Sequence, residues 1–197
     1  MGRKLREPAG RTRWLSPAEA VALVRAAERI PKAEHLSDFI RLGLYTGMRP
    51  GELLYLEWGW VNLSRHLVYF GAGDQKNGKV SSIPLNRRAR DVLIASARFG
   101  ATHCPAAQWL FRDRSGARIN SIEKGFAAAA KRANIPHCTP HDLRQTCASW
   151  LVQARTPIQE VTQLLRVAPC RHPNDPGSPC PPDAGSVAQD RRNTGSS

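Results

Sequence analysis

Three shortages narrow what this chain can do. It has only three tyrosines, Tyr45, Tyr55 and Tyr69, and none follows Arg144. Chemistry that draws a phenolic nucleophile from the last quarter of the chain has no donor there. No run of apolar residues reaches the ~18 needed for a membrane-spanning helix. Met1-Gly2-Arg3-Lys4-Leu5-Arg6 has a charged start but no apolar stretch behind it, so it does not read as a signal peptide. Cysteines stand at 104, 138, 147, 170 and 180, an odd count with no Cys-x-x-Cys pair. The neighbours His103-Cys104 and His137-Cys138 lack zinc-site spacing, because adjacent side chains seldom share one tetrahedral centre. Reduced cytosolic thiols and no metal or cofactor are expected.

Acidic residues are also scarce, 16 against 29 lysines and arginines, for a net charge of +13 and a pI near 10.4. Such an excess attracts polyanions by releasing their counterions. Charge alone does not separate nucleic acid from an anionic membrane surface. The 197 residues suffice for one well-buried domain with an appendage.

Residues 1–13 are Arg/Lys-rich, contain Pro8 and Gly10, and read as a flexible basic arm. Ser16-Pro17-Ala18-Glu19 is a helix start, and Leu23, Ala26, Ala27 and Ile30 continue it at helical spacing up to Pro31. A second helix is expected from about Ser37 to Tyr45 with Gly47 as its stop, and a third, short one opens at Pro50 with Leu53, Leu54 and Leu56. His66–Phe70 and Val80–Leu85 have strand composition, and Gln75-Lys76-Asn77-Gly78-Lys79 between them carries the Asn-Gly hairpin signal. Helices are expected at 87–98, 121–133, from Pro140 with Thr139 as cap, and from Pro157 to about Leu165. Residues 166–197 hold six of the fifteen prolines and no Leu, Ile, Met, Phe, Tyr or Trp, so they cannot bury enough surface to offset ordering entropy. They read as a disordered tail.

Two clusters stand out: Thr46-Gly47-Met48-Arg49-Pro50-Gly51-Glu52-Leu53-Leu54, and Thr139-Pro140-His141-Asp142-Leu143-Arg144-Gln145-Thr146. Each puts an arginine at an expected helix start, where backbone N–H groups favour an anion. His141 and Arg144, three apart, share a helix face. Singly, each has an ordinary reading. A His-x-x-Arg pair is usually a solvated helix face, Arg49 can simply pair with Glu52, and Lys76 is by default a loop charge.

In order, within so basic a chain, these segments resemble the tyrosine recombinase (phage integrase) family over roughly residues 13–165. The Arg49 segment with Leu56-Glu57-Trp58 is similar to that family's first-arginine segment. Gln75–Lys79 before Ile83-Pro84-Leu85 is similar to its catalytic-lysine hairpin, and Thr139–Thr146 with Ala148-Ser149-Trp150-Leu151 to its His-x-x-Arg helix. The resemblance implies an α+β fold, mostly helical with a small antiparallel sheet. It implies site-specific DNA recombination or integration, in which a tyrosine attacks a phosphodiester and leaves a 3′-phosphotyrosine and a free 5′-hydroxyl. Arg49 and Arg144 would clamp the non-bridging oxygens, Lys76 would protonate the departing 5′-oxygen, and His141 would assist proton transfer. No metal is implied, since fixed cations neutralise the charge. The implied partner is double-stranded DNA, shared with further copies of this chain or an intact recombinase, and no membrane. The implied setting is the cytoplasm of a bacterium, at the nucleoid, with a phage or mobile element as origin.

The resemblance departs at the end. The family continues through Leu-Leu-Gly-His to an Arg-Tyr pair bearing the nucleophile; here Gln163-Leu164-Leu165 keeps step, and Arg166-Val167 replace Gly-His. The expected organisation is therefore a basic arm (1–13), an incomplete catalytic domain (14–165) and a proline-rich tail (166–197), without the family's separate N-terminal DNA clamp. A frameshift near codon 166 and a gene end formed by rearrangement both account for the tail. Tyr45 and Tyr55 are expected to be packing residues beside leucines, so no nucleophile is assigned and whether the chain is an enzyme stays open. The alternative is a non-catalytic DNA-binding module, or the remnant of a mobile-element integrase. Without the last helices, Trp150, Leu151 and Val161 are expected to be partly exposed.

Overall fold

The computed structural model describes residues 13–31, 33–71, 81–113 and 115–166. The turn carrying Lys76, most of the basic arm and nearly all of the tail lie outside the described residues, so the expectations for them do too. Among the described residues the order is α1 (Pro17–Glu28), α2 (His35–Thr46), α3 (Pro50–Leu54), a 3-10 turn (Trp58–Trp60), β1 (Val61–Asn62), β2 (Leu67–Phe70), β3 (Ser81–Pro84), α4 (Arg87–His103), α5 (Glu123–Arg132), α6 (Pro140–Gln153) and α7 (Ile158–Leu164). This is an α+β architecture, mostly helical, with one three-stranded antiparallel sheet in the order β1-β2-β3.

Local chemistry accounts for most boundaries. The Ser16 hydroxyl accepts from the Glu19 N–H, and the Glu19 carboxylate accepts from the Ser16 N–H, a reciprocal box that starts α1. Asn86 caps α4 by accepting from the Ala89 N–H. Gly47 ends α2 in the left-handed region, φ 64°, donating its N–H to the Gly43 carbonyl. In the sheet, Val68 faces Val61 on one side and Ile83 on the other, and Phe70 faces Ser81. Val68 and Phe70 are buried while Leu67 and Tyr69 alternate outward, so one face of β2 meets the core.

The core is built around α2, which packs against α6, α4, α1 and α3, while α5 covers α1. Phe39, Phe70, Phe111, Phe126 and Met48 are fully buried in it. Each such side chain contributes ~2 kcal/mol through lost water contact. Phe39 and Phe111 meet edge-on with centroids 5.4 Å apart. The short apolar piece Trp109-Leu110-Phe111 docks along residues 56–58: Leu110 donates to the Leu56 carbonyl at 2.8 Å, and Trp58 to the Gln108 carbonyl at 3.0 Å. The chain entering α1 is tied to α6 at one residue. The Leu15 N–H donates to Thr146 Oγ1 (2.9 Å), and the Leu15 carbonyl accepts from Trp150 Nε1 (3.1 Å).

Some expectations are corrected. Helix α4 runs five residues beyond the expected 98, to His103. Its Gly100 leaves room for the buried Arg112 guanidinium, which donates to the Leu110 carbonyl at 3.1 Å. Val161 is buried, not exposed, because α7 folds back on α6; Trp150 and Leu151 are half-buried. Tyr55 is exposed rather than packed among leucines, with the Arg118 guanidinium stacked 3.7 Å from its ring centre. No helix among the described residues is long and apolar enough to cross a membrane.

Candidate phosphate-binding site

The two arginine segments meet where the end of α2 packs on the first turns of α6. Arg49 occupies the cap position of α3, just after the Gly47 stop, and Pro50 fixes the first helical residue. Arg144 sits in the first turns of α6. Its Nη1 donates to the Gly47 carbonyl at 2.6 Å, and its Nη2 donates to the Leu165 carbonyl at the end of α7. One guanidinium thus closes three helix ends around itself. Two of its five N–H groups are bonded to these carbonyls.

The lack of a side chain at Gly47 makes this approach feasible. A Cβ there would run into the Leu165 side chain and come within 3.2 Å of Cys147 Sγ. The sequence signal at Gly47, a helix stop, therefore has a second cause: the close packing of Leu165 and Cys147 against it.

Arg49 is held differently. Its Nη1 pairs with Glu52 Oε1 at 2.8 Å, and its backbone N–H donates to Glu52 Oε2 at 2.9 Å. The ordinary reading of Arg49, a pair with Glu52, is thus realised. The same carboxylate accepts from Arg166 Nη2 at 2.6 Å. Arg166 also donates to Ser81 Oγ at 3.1 Å and lies over the Phe70 ring at 4.6 Å. Burial lowers the Arg144 guanidinium to about 10, with the positive charges of Arg49 and Arg166 acting in the same direction and Glu52 opposing them. It stays charged at neutral pH. Three guanidiniums near one carboxylate leave a net positive cluster, which suits an anion.

His141 is exposed in the first turn of α6, one turn before Arg144. The anion-ready helix start expected at this segment is partly taken, because Asp142 accepts from the Thr139 N–H (2.7 Å) and hydroxyl (3.0 Å). Lys76 lies outside the described residues. The structure thus brings Arg49, Arg144 and His141 to neighbouring helix starts, and adds Glu52 and Arg166, which sequence reasoning had not placed in the site. For Glu52 the signal was the i, i+3 spacing from Arg49; for Arg166 it was the departure from the resembled family's glycine after Leu164-Leu165, which pointed to no role in the site.

The three tyrosines are engaged elsewhere in the fold. Tyr45 packs half-buried against the core, Tyr55 stacks under Arg118, and Tyr69 projects from the face of β2 opposite Phe70.

Comparison with known proteins gives the family to which this α+β fold belongs. The phage integrase family model matches residues 13–166, so the chain belongs to the phage integrase family. It is 30% identical over 167 residues to the integrase of Salmonella phage P22, covering 78% of this chain and 40% of that protein. It is also 30% identical over 122 residues to tyrosine recombinase XerC of Pseudomonas aeruginosa, covering 61% of this chain and 39% of that one. The chain spans about two fifths of the length of these curated relatives. Its fold is shared with XerA recombinase (TM-score 0.66, 23% identity, 83% of this chain and 57% of that chain). It is shared equally with the Tn1549 transposon integrase solved with circular intermediate DNA (TM-score 0.68, 19% identity, 83% and 61%).

Proposed function

We propose that this chain is the phosphate-gripping portion of a tyrosine recombinase catalytic domain, and that Arg49 and Arg144 hold a phosphodiester of double-stranded DNA during site-specific recombination or integration. The observation that carries the reading is the seating of Arg144: a buried guanidinium fixed by the Gly47 and Leu165 carbonyls, with Arg49 close enough to depress its proton affinity. Donors fixed in advance stabilise the charge that grows on a phosphoryl group without reorganising at the moment of reaction. Lys76 would protonate the departing 5′-oxygen and His141 would assist transfer of the nucleophile's proton. The net charge of +13 and the DNA complex of the Tn1549 integrase support duplex DNA as the partner. On this reading the protein works in the cytoplasm, at the nucleoid.

The tyrosines favour a second, narrower reading. None lies after Tyr69, and the three are engaged with the core, with Arg118 and in strand β2. This chain then binds DNA without cutting it through its own phenol, and cleavage requires a tyrosine from a second protomer or an intact recombinase on the same DNA.

A labelled duplex titrated with the full chain tests both readings. Affinity is expected to fall ~10²-fold or more between ~50 and ~200 mM salt, and Arg144→Lys is expected to weaken binding. Salt-insensitive or absent binding would sink the DNA reading. A covalent adduct formed by the chain alone on a nicked duplex would sink the non-cleaving one.

A further inference from the structure

Arg166 follows α7 in the left-handed region, φ 52°, a conformation that favours glycine and that an arginine adopts only under constraint. Its side chain turns inward and is only 11% exposed. Both terminal nitrogens are engaged, Nη2 on Glu52 and Nη1 on Ser81, and the guanidinium lies on the Phe70 ring. Its Nε is buried with no hydrogen-bond partner among the described residues. A strained backbone and an orphaned buried donor are both unfavourable, so the bonds to Glu52, Ser81 and Phe70 must outweigh them. Glu52 is the carboxylate that orients Arg49 through both its backbone N–H and its guanidinium. The preceding residue, Leu165, supplies the carbonyl that holds Arg144.

Two consecutive residues at the end of α7 therefore reach both halves of the arginine pair. We propose that the Leu165-Arg166 turn is the positioning element of the phosphate clamp, with its Leu165 carbonyl fixing Arg144 and its Arg166 guanidinium fixing Arg49 through Glu52. Arg166 is a positioning residue: its two terminal nitrogens are bonded to protein, and it acts on the ligand through Glu52. Its bonds to Ser81 and Glu52 also link the sheet edge β3 to α3. This inference rests on the proposal that Arg49 and Arg144 bind a DNA phosphate.

The test uses the full 197-residue chain, a labelled duplex, and thermal unfolding of every variant alongside. Arg166→Gly removes the guanidinium and relieves the backbone strain. It is expected to lower duplex affinity ~3- to 10-fold while leaving the salt slope as in the unsubstituted chain. In a Glu52→Gln background the same substitution is expected to add less than ~2-fold, the non-additivity of two residues acting as one unit. Arg166→Lys keeps the charge but lacks the fork, and is expected not to restore affinity. Three results overturn the inference. One is an undiminished effect of Arg166→Gly in the Glu52→Gln background with a salt slope lower by about one, which would mean that Arg166 touches phosphate itself. Another is full restoration by Arg166→Lys. The third is unchanged affinity in Arg166→Gly while Arg49→Ala and Arg144→Lys still weaken binding. If those last two variants also bind as the unsubstituted chain does, the phosphate-clamp reading itself fails.

Discussion

Arg49 and Arg144 look alike in the sequence, each a few residues past a threonine and next to a proline-opened helix, but the fold gives them opposite environments. Arg144 is 7% exposed and bonded to two backbone carbonyls from different helix ends. The Arg49 side chain is 47% exposed and pairs with a carboxylate three residues away. Arg144 is part of the packing of α2, α6 and α7; Arg49 is a surface group aimed by Glu52. On the proposed reading, such a clamp has one rigid jaw and one adjustable one. The rigid jaw couples ligand binding to folding, whereas the adjustable jaw can be changed at little structural cost.

The largest effect should come from removing the rigid jaw. Arg144→Ala leaves the Gly47 and Leu165 carbonyls without their donor and opens a cavity between helices. Urea unfolding is expected to show a loss of ~3 kcal/mol, with duplex affinity lost as well. Next is Gly47→Ala, which puts a side chain at φ 64° and against Leu165 and Cys147. It is expected to cost ~2 kcal/mol and to weaken DNA binding although no charge has changed. Arg49→Ala should sharpen the contrast from the other side. Its loss is expected to cost under ~0.5 kcal/mol of stability, as for an exposed pair, yet to reduce duplex affinity at low salt.

Alkaline titration probes the same packed seam with the gentlest change. Burial pushes the Cys147 thiol beside Arg144 up to about 11, and burial does the same for Cys138. A raised thiol pKa favours the protonated form in the fold, so its stabilisation is complete below pH ~9 and is lost as pH rises through ~11. Arg144, lowered to about 10, works oppositely, since its buried charge is relieved as pH rises through that value. The thiols of the unfolded chain lose their protons from pH ~9, below the value at which Arg144 begins to be relieved in the fold. The melting temperature is therefore expected to fall as pH is raised from ~9 to ~10, and to fall less in Cys147→Ala.

Much of the fold was legible because the signals were local. Ser16-Pro17 with Glu19, Gly47 after α2, and Thr139-Pro140 before α6 each name a helix end through atoms within four residues. Burial at the chain's last described helix was not legible: Val161 and Leu165 owe it to α7 folding back onto α6 and Gly47. Tyr55 misled in the reverse direction. Its leucine neighbours suggested packing, but α3 ends at Leu54 and turns the ring outward, where Arg118, 63 positions on, covers it.

The sequence by itself determined the family, the α+β composition, the positive charge and the identity of Arg49, His141 and Arg144 as residues to examine. These depend on residue type and short-range order, which a linear chain carries in full. Only the tertiary structure decided that the two arginines differ in kind, and that Leu165 and Arg166 reach them both. Those facts depend on contacts between residues 97, 21 and 114 positions apart. Such contacts form only when α2, α3, α6 and α7 pack together, and no local pattern encodes the distance that packing closes.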